Sequence, residues 1–201
     1  MLNLEDSKNE YFKFLEKISS RTGVKALSDY LIKHGLFEAP ASTKFHLCSE
    51  GGLIIHLVSV TALALKLRPV LYPEATEETV ILVSLFHDCF KATDGFGNKT
   101  YLKNTEAKER QPYLWNAEQL NYAGGHKSAL IISKFVDLKQ DEIQAIAYHD
   151  GPYTESWKDL MGNNNVYPLT HLIHMADLWS CWVVERNKNI KKFDKKFLED
   201  K

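Results

Sequence analysis

Residues 76–91 read TEETVILVSLFHDCFK, and the organisation of the chain can be worked outward from them. Thr76 is a helix N-cap, and Glu77 and Glu78 fall in the first turn, where the helix dipole favours negative charge. The run 80–86 is apolar on every side, broken only by Ser84. A helix without a polar face belongs in the middle of a domain. His87 and Asp88 follow at its end, so two titratable groups are delivered into an apolar interior.

The preceding stretch, 50–67, repeats Leu53, Leu57, Val60, Ala64 and Leu67 at helical intervals. Ser49 is its expected N-cap, and Pro69 and Pro73 close it. Gly51 and Gly52 cost the first turn about 1 kcal/mol each against Ala, which implies close backbone approach there. Upstream, 11–18 and 24–32 are amphipathic helices, His34-Gly35 is a helix end, and 37–45 is a loop. Downstream, helices are expected over 126–135, 140–149 and 168–185, with a polar loop over 151–165. Residues 93–125 have weak periodicity and read as a long, partly irregular insertion, a lid or a specificity element. No run alternates long enough to build a sheet. The expected fold is all-α, a single domain over 1–201. It comprises N-terminal helices in 1–35, a core over 46–185 and a lysine-rich, solvated tail over 187–201.

Composition narrows the function classes. The chain has 201 residues, 44% hydrophobic and 25% charged, with a formal net charge of -1. Such a balance supplies no overall basic field to draw in nucleic acid. Cys48, Cys89 and Cys181 are too far apart for a zinc ribbon and fit a reducing compartment. The polar N-terminus is unlike a signal peptide, and the run 80–86 is too short to span a bilayer. A cytoplasmic location is expected.

The chemistry lies in polar groups set among apolar ones. His56 is flanked by Ile54, Ile55, Leu57 and Val58, and Asp177 by Met175, Ala176 and Leu178. An imidazole or carboxylate in that company must be paired, protonated or bound to a metal. Neighbours on a regular helix point about 100° apart, so His87 and Asp88 can share a site only where the helix ends. One divalent cation held by His56, His87, Asp88 and Asp177 would satisfy all four groups. Mixed nitrogen and oxygen donors suit Mn, Fe, Co, Ni or Zn, with Mg a further option, and do not choose among them.

The order His56, His87-Asp88, Asp177 resembles the H…HD…D signature of the HD superfamily of metal-dependent phosphohydrolases. Gly51-Gly52-Leu53-Ile54-Ile55-His56 is similar to that family's GGLxxH segment, and 85–91, LFHDCFK, to its LLHDxxK segment. Gly125-His126, 148–151 (YHDG) and Met175-Ala176-Asp177 fall in the matching order. The resemblance spans 46–185. It is nearest to the HD domains of bacterial 3′–5′ exoribonucleases and of unassigned phage and bacterial proteins. The pair Cys89-Phe90 and the insertion depart from the pattern.

What the resemblance implies is an HD-domain helical bundle that hydrolyses a phosphoester of a small nucleotide or nucleotide-like molecule with metal-activated water. It implies a second ion held with His126 and His149, with Asp88 as bridge and catalytic carboxylate. It implies His46 near the substrate and Lys91 as a catalytic and substrate-binding cation on a phosphate oxygen, with Lys127 a weaker candidate for the same task. Two other functions use the same scaffold: an HD-type di-iron oxygenase acting on a small molecule, and a non-catalytic sensor of a phosphorylated ligand. His171 and His174 read as structural, and Trp157, Trp179 and Trp182 as core or lid packing.

Overall fold

The computed structural model describes residues 3–106, 111–154, 156–162 and 165–185. The lysine-rich tail expected over 187–201 lies outside the described residues. The elements run α1 (Leu4–Lys17), α2 (Val24–Lys33), α3 (Gly52–Leu71), α4 (Glu77–Phe86), β1 (Tyr101–Lys103) and β2 (Tyr113–Trp115). They continue with α5 (Gly124–Ser133), α6 (Gln140–Ala147), α7 (Ser156–Gly162) and α8 (Pro168–Trp179). Short 3-10 turns occupy Cys89–Lys91 and Gly151–Tyr153, and α8 runs on into a π-helical turn, Ser180–Val184. The fold is an all-α bundle with one small hairpin.

α4 is the central element, as its composition requires. Every residue from Thr79 to Phe86 is buried, and the helix packs against α1, α3, α6 and α8. The Thr76 hydroxyl accepts the Thr79 N–H at 3.1 Å, which caps its start. α1 closes one side: the buried Tyr11 hydroxyl donates to Ser28 of α2 at 2.8 Å, and its ring meets Phe37 and Phe86 edge-on.

α3 is long and apolar enough, by length and composition, to cross a membrane, yet most of it is buried inside the protein, against α4, α8 and α1. It begins differently from the expectation. Gly51, at φ 74°, stands at the N-cap in place of Ser49. The close approach is real: a Cβ on Gly52 would lie 2.0 Å from the Leu47 carbonyl oxygen. That carbonyl also accepts the Ala41 N–H at 3.1 Å, so it is pinned, and the loop bearing His46 rests directly on the first turn of α3. Gly52→Ala should therefore cost about 1–3 kcal/mol through forced backbone shift. An unchanged denaturant midpoint in that variant would contradict the packing.

The insertion is more ordered than its composition suggests. β1 and β2 pair antiparallel, Tyr101 with Trp115 and Lys103 with Tyr113. Strands this short carry too little alternation to be read from sequence. Asp94 ties the segment down, accepting the N–H groups of Phe96 (2.8 Å), Asn98 (3.1 Å) and Leu120 (3.1 Å), and the Asn98 amide (2.8 Å). Although burial alone would raise its pKa, these donors hold the carboxyl below the usual aspartate range. Asp94→Ala should strand those donors at a cost of about 1–3 kcal/mol. Hydrogen exchange should then quicken across the insertion while the α4 amides stay protected; equal acceleration in α4 would refute the anchoring role.

Candidate metal centre

Two helix ends, of α4 and α6, and two helix bodies, of α3 and α8, bring the polar groups together. His56 points inward from the second turn of α3. His87 caps the C-terminus of α4, and Asp88 leaves helical geometry at φ -109°, ψ 17°, which lets adjacent side chains face one point. His149 follows the end of α6, and Asp177 projects from α8. All five are buried.

Each imidazole is oriented from behind. His87 Nδ1–H donates to the Ser84 carbonyl at 2.7 Å, and His149 Nδ1–H to the Ile146 carbonyl at 2.7 Å. His56 Nδ1 meets Glu185 Oε1 at 2.9 Å. A proton on Nδ1 leaves the Nε2 lone pair available, the arrangement seen behind metal-binding histidines. The Nε2 atoms of His56 and His87 are indeed buried without a hydrogen-bond partner.

Those orphaned nitrogens face carboxylates. His56 Nε2 lies 3.3 Å from Asp88 Oδ2 and 3.2 Å from Asp177 Oδ1. His87 Nε2 lies 3.6 Å from Asp88 Oδ2 and 3.9 Å from Asp177 Oδ1, and His149 Nε2 3.4 Å from Asp88 Oδ1. Donors about 2.0–2.2 Å from a shared ion sit about 3.0–3.5 Å from each other, so the His56 and His149 spacings suit neighbouring ligands and His87 stands slightly further out. The donor set fits a divalent cation.

Without an ion, protons on His56 and His149 supply the positive charge that these carboxylates call for, and a cation would displace them. Burial would raise the Asp88 carboxyl, but Lys91, with Nζ 2.5 Å from Oδ2, and the surrounding histidines hold it well below its ordinary range. Burial likewise opposes the ionised form of Asp177, yet His56 and its neighbours depress it. Glu185 is pulled down to about 2, again against burial, by His56 and His46. His87 is pushed down to about 4 by burial, which leaves it neutral. His149 rises to about 10, because Asp150 and Asp88 outweigh its burial. His56 is raised well above normal, burial being overcome by Glu185, Asp177 and Asp88. The carboxylates thus concentrate positive charge at this point.

His46 reaches the same cluster from the loop before α3. Its Nδ1 contacts Glu185 Oε2 closely, and its Nε2 lies 3.5 Å from Cys181 Sγ. Glu185 escapes a sequence reading that assumes a regular helix, whereas Cys181, four residues after Asp177, shares its face in any case. Eight residues along such a helix, Glu185 would sit about 80° round from Asp177. The π-helical turn, closed by Glu185 N–H on the Ser180 carbonyl at 2.9 Å, adds a residue to the turn and swings Glu185 back. The spacing Asp177-x3-Cys181-x3-Glu185 was the available signal.

Two expected residues stand elsewhere. His126 is absent from the tight donor groups found among the described residues; its ring meets Tyr122 and Tyr148, and its Nδ1 is buried without a partner. Lys127 is buried in α5, donating to Gln119 Oε1 at 2.7 Å and the Leu120 carbonyl at 3.2 Å. Its position stabilises the insertion. His174 Nδ1 meets the His149 carbonyl at 2.8 Å, a structural role, and His171 packs on Trp157.

A cavity of about 540 Å³ opens onto the centre, lined by His46, Lys91, Asp177 and Cys181 at its floor and by Phe45, Trp115, Tyr153 and Trp182 among its walls. Trp179 and Trp182 are 55% and 51% exposed, so neither is core. Lys91 and Tyr101 also line a neighbouring cavity of about 410 Å³.

Against known proteins, one partial likeness emerges. The chain is 45% identical over 58 residues to the dihydroneopterin 2′,3′-cyclic phosphate phosphodiesterase of Methanocaldococcus jannaschii. The match takes in 27% of this chain and 23% of that relative, a phosphodiesterase by name. No family model and no solved structure matches the chain.

Proposed function

We propose that the chain is an HD-type, metal-dependent phosphohydrolase that cleaves a phosphoester of a nucleotide or nucleotide-like molecule. The observation that carries this reading is the pair of buried, unpartnered Nε2 atoms of His56 and His87 facing Asp88 and Asp177. The partial likeness to a cyclic-phosphate phosphodiesterase supports the reaction type.

His56, His87, Asp88 and Asp177 would hold the ion, with His149 beside Asp88. A divalent cation there supplies Lewis acidity, neutralising phosphoryl oxygens and bringing the ionisation of water towards neutrality. The rest is done by the chain. Lys91, half-buried and charged where it lines both cavities, places a fixed positive charge where a phosphoryl oxygen must enter, and holds Asp88 ionised. Glu185 and the Ser84 and Ile146 carbonyls fix the imidazoles in place, so little reorganisation is needed on substrate binding. The apolar packing of α4 behind His87 keeps bulk water from that side. The aromatic wall offers a surface for a flat ring. The alternative di-iron oxygenase reading needs His126 among the ligands, and draws no support from its position.

The test is metal removal and return. Chelated protein should lose hydrolysis of 2′,3′-cyclic nucleotides and nucleoside monophosphates, and added Mn²⁺ should restore it and raise the melting temperature, since an ion that binds only the folded state stabilises it. Full activity in the chelated protein would reject the proposal.

A further inference from the structure

We infer that the chain holds a second, thiolate-containing cation site, built from His46 Nε2 and Cys181 and sharing Asp177 with the first centre, with Glu185 holding the His46 ring from behind through Nδ1. It rests on the reading of the His56–Asp177 cluster as a cation site, and takes it further by naming where a second ion goes and which metals it prefers.

Geometry carries the argument. His46, His56, Cys181 and Glu185 form one tight cluster of donor groups, with Glu185 on the Nδ1 side of both imidazoles and Cys181 on the Nε2 side of His46. Cys181 Sγ is 3.5 Å from His46 Nε2 and 3.4 Å from Asp177 Oδ1. Around a tetrahedral ion with sulfur at about 2.3 Å and nitrogen or oxygen at about 2.0–2.2 Å, neighbouring ligands are separated by about 3.5 Å. Both edges match. The backbone is shaped for it as well: Asp177, Cys181 and Glu185 are four residues apart, and the π-helical turn at Ser180–Val184 brings the last of them back to the face of the first two. Local π-helix of this kind is frequent at functional sites.

Access and charge complete the case. His46, Asp177 and Cys181 line the 540 Å³ cavity, so an ion can reach them from solvent without unfolding the bundle. Glu185 faces two imidazoles and Asp177 faces the thiol, so two carboxylates stand on this side against the single ammonium of Lys91, which is itself paired with Asp88. Sulfur selects softer ions: this position would favour Zn²⁺ or Co²⁺, whereas the all-nitrogen-and-oxygen first site accepts Mn²⁺. The second ion therefore sits on the His46 side of Asp177, away from His126.

Cobalt reports the two sites separately. Titration of the full chain with Co²⁺ should take up about two ions, and only the site with sulfur can give a near-ultraviolet thiolate-to-cobalt charge-transfer band. Cys181→Ala should abolish that band and lower uptake to about one ion while keeping the visible ligand-field bands of the first site. Cys48→Ala should retain the charge-transfer band. Uptake of a single ion by the unaltered chain with no charge-transfer band would overturn the second site and leave the first standing. Absence of any cobalt binding would overturn both. A band that survives Cys181→Ala and disappears in Cys48→Ala would assign the thiolate elsewhere and overturn this site. Should Cys181→Ala fail to fold, Cys48→Ala decides the matter: a retained band supports the site and a lost band overturns it.

Discussion

Asp88→Asn is expected to reduce phosphoester hydrolysis by about 10³-fold or more, with the helical content intact. The scale follows from removing a preorganised charge at the reacting centre. Asp88 is the most connected group of the cluster: its two oxygens face His56, His87 and His149, and its charge is matched by Lys91. Alanine would leave the half-buried Lys91 ammonium without its carboxylate, which is a fold problem as much as a catalytic one. Asparagine keeps the volume and removes the charge. Circular dichroism and hydrolysis measured on the same preparation separate the two effects; turnover near that of the unaltered chain would remove Asp88 from the chemistry.

The largest stability effect is expected far from the centre. Arg21→Ala should destabilise the fold by about 3–5 kcal/mol, the cost of breaking a buried ion pair from one side. The Arg21 guanidinium grips Glu142 with two parallel contacts, 3.1 Å and 2.7 Å, and donates to the Asp137 carbonyl at 2.8 Å. Glu142 has no exposed surface, and it also accepts from Lys139 N–H at 2.8 Å, capping α6, and from the Thr79 hydroxyl at 3.3 Å. One carboxylate thus joins the turn after α1, the start of α4 and the start of α6. The double variant Arg21→Ala, Glu142→Gln should recover part of the loss, because no unpaired carboxylate remains buried. Denaturant unfolding measures both. A single variant within about 0.5 kcal/mol of the unaltered chain would place the pair among ordinary surface bridges.

Much of this architecture could be read from residues 76–91, because an element apolar on all sides has only one place to go. The helices carrying His56, His87, His149 and Asp177 were legible from periodicity, and so was the close approach at Gly51-Gly52. Other features depend on information that periodicity does not carry. Ser49 has the right chemistry for an N-cap, but the Leu47 carbonyl and the left-handed Gly51 decide where α3 starts. The hairpin of β1 and β2 is set by pairing across a gap, and each strand is only three residues long. Glu185 stayed hidden because one hydrogen bond, from its N–H to the Ser180 carbonyl, changes the helical phase at the end of α8. Lys127 illustrates the converse: its charge suggested a phosphate contact, and its neighbours Gln119 and Leu120 show what it holds.

The central claim is that one cation lies among His56, His87, Asp88 and Asp177. Anomalous diffraction from a crystal soaked in Mn²⁺ addresses it directly. The account predicts a peak about 2.0–2.2 Å from the Nε2 atoms of His56 and His87 and from an oxygen of each aspartate. A well-ordered map with no peak at that point, or with manganese bound only elsewhere, would contradict it.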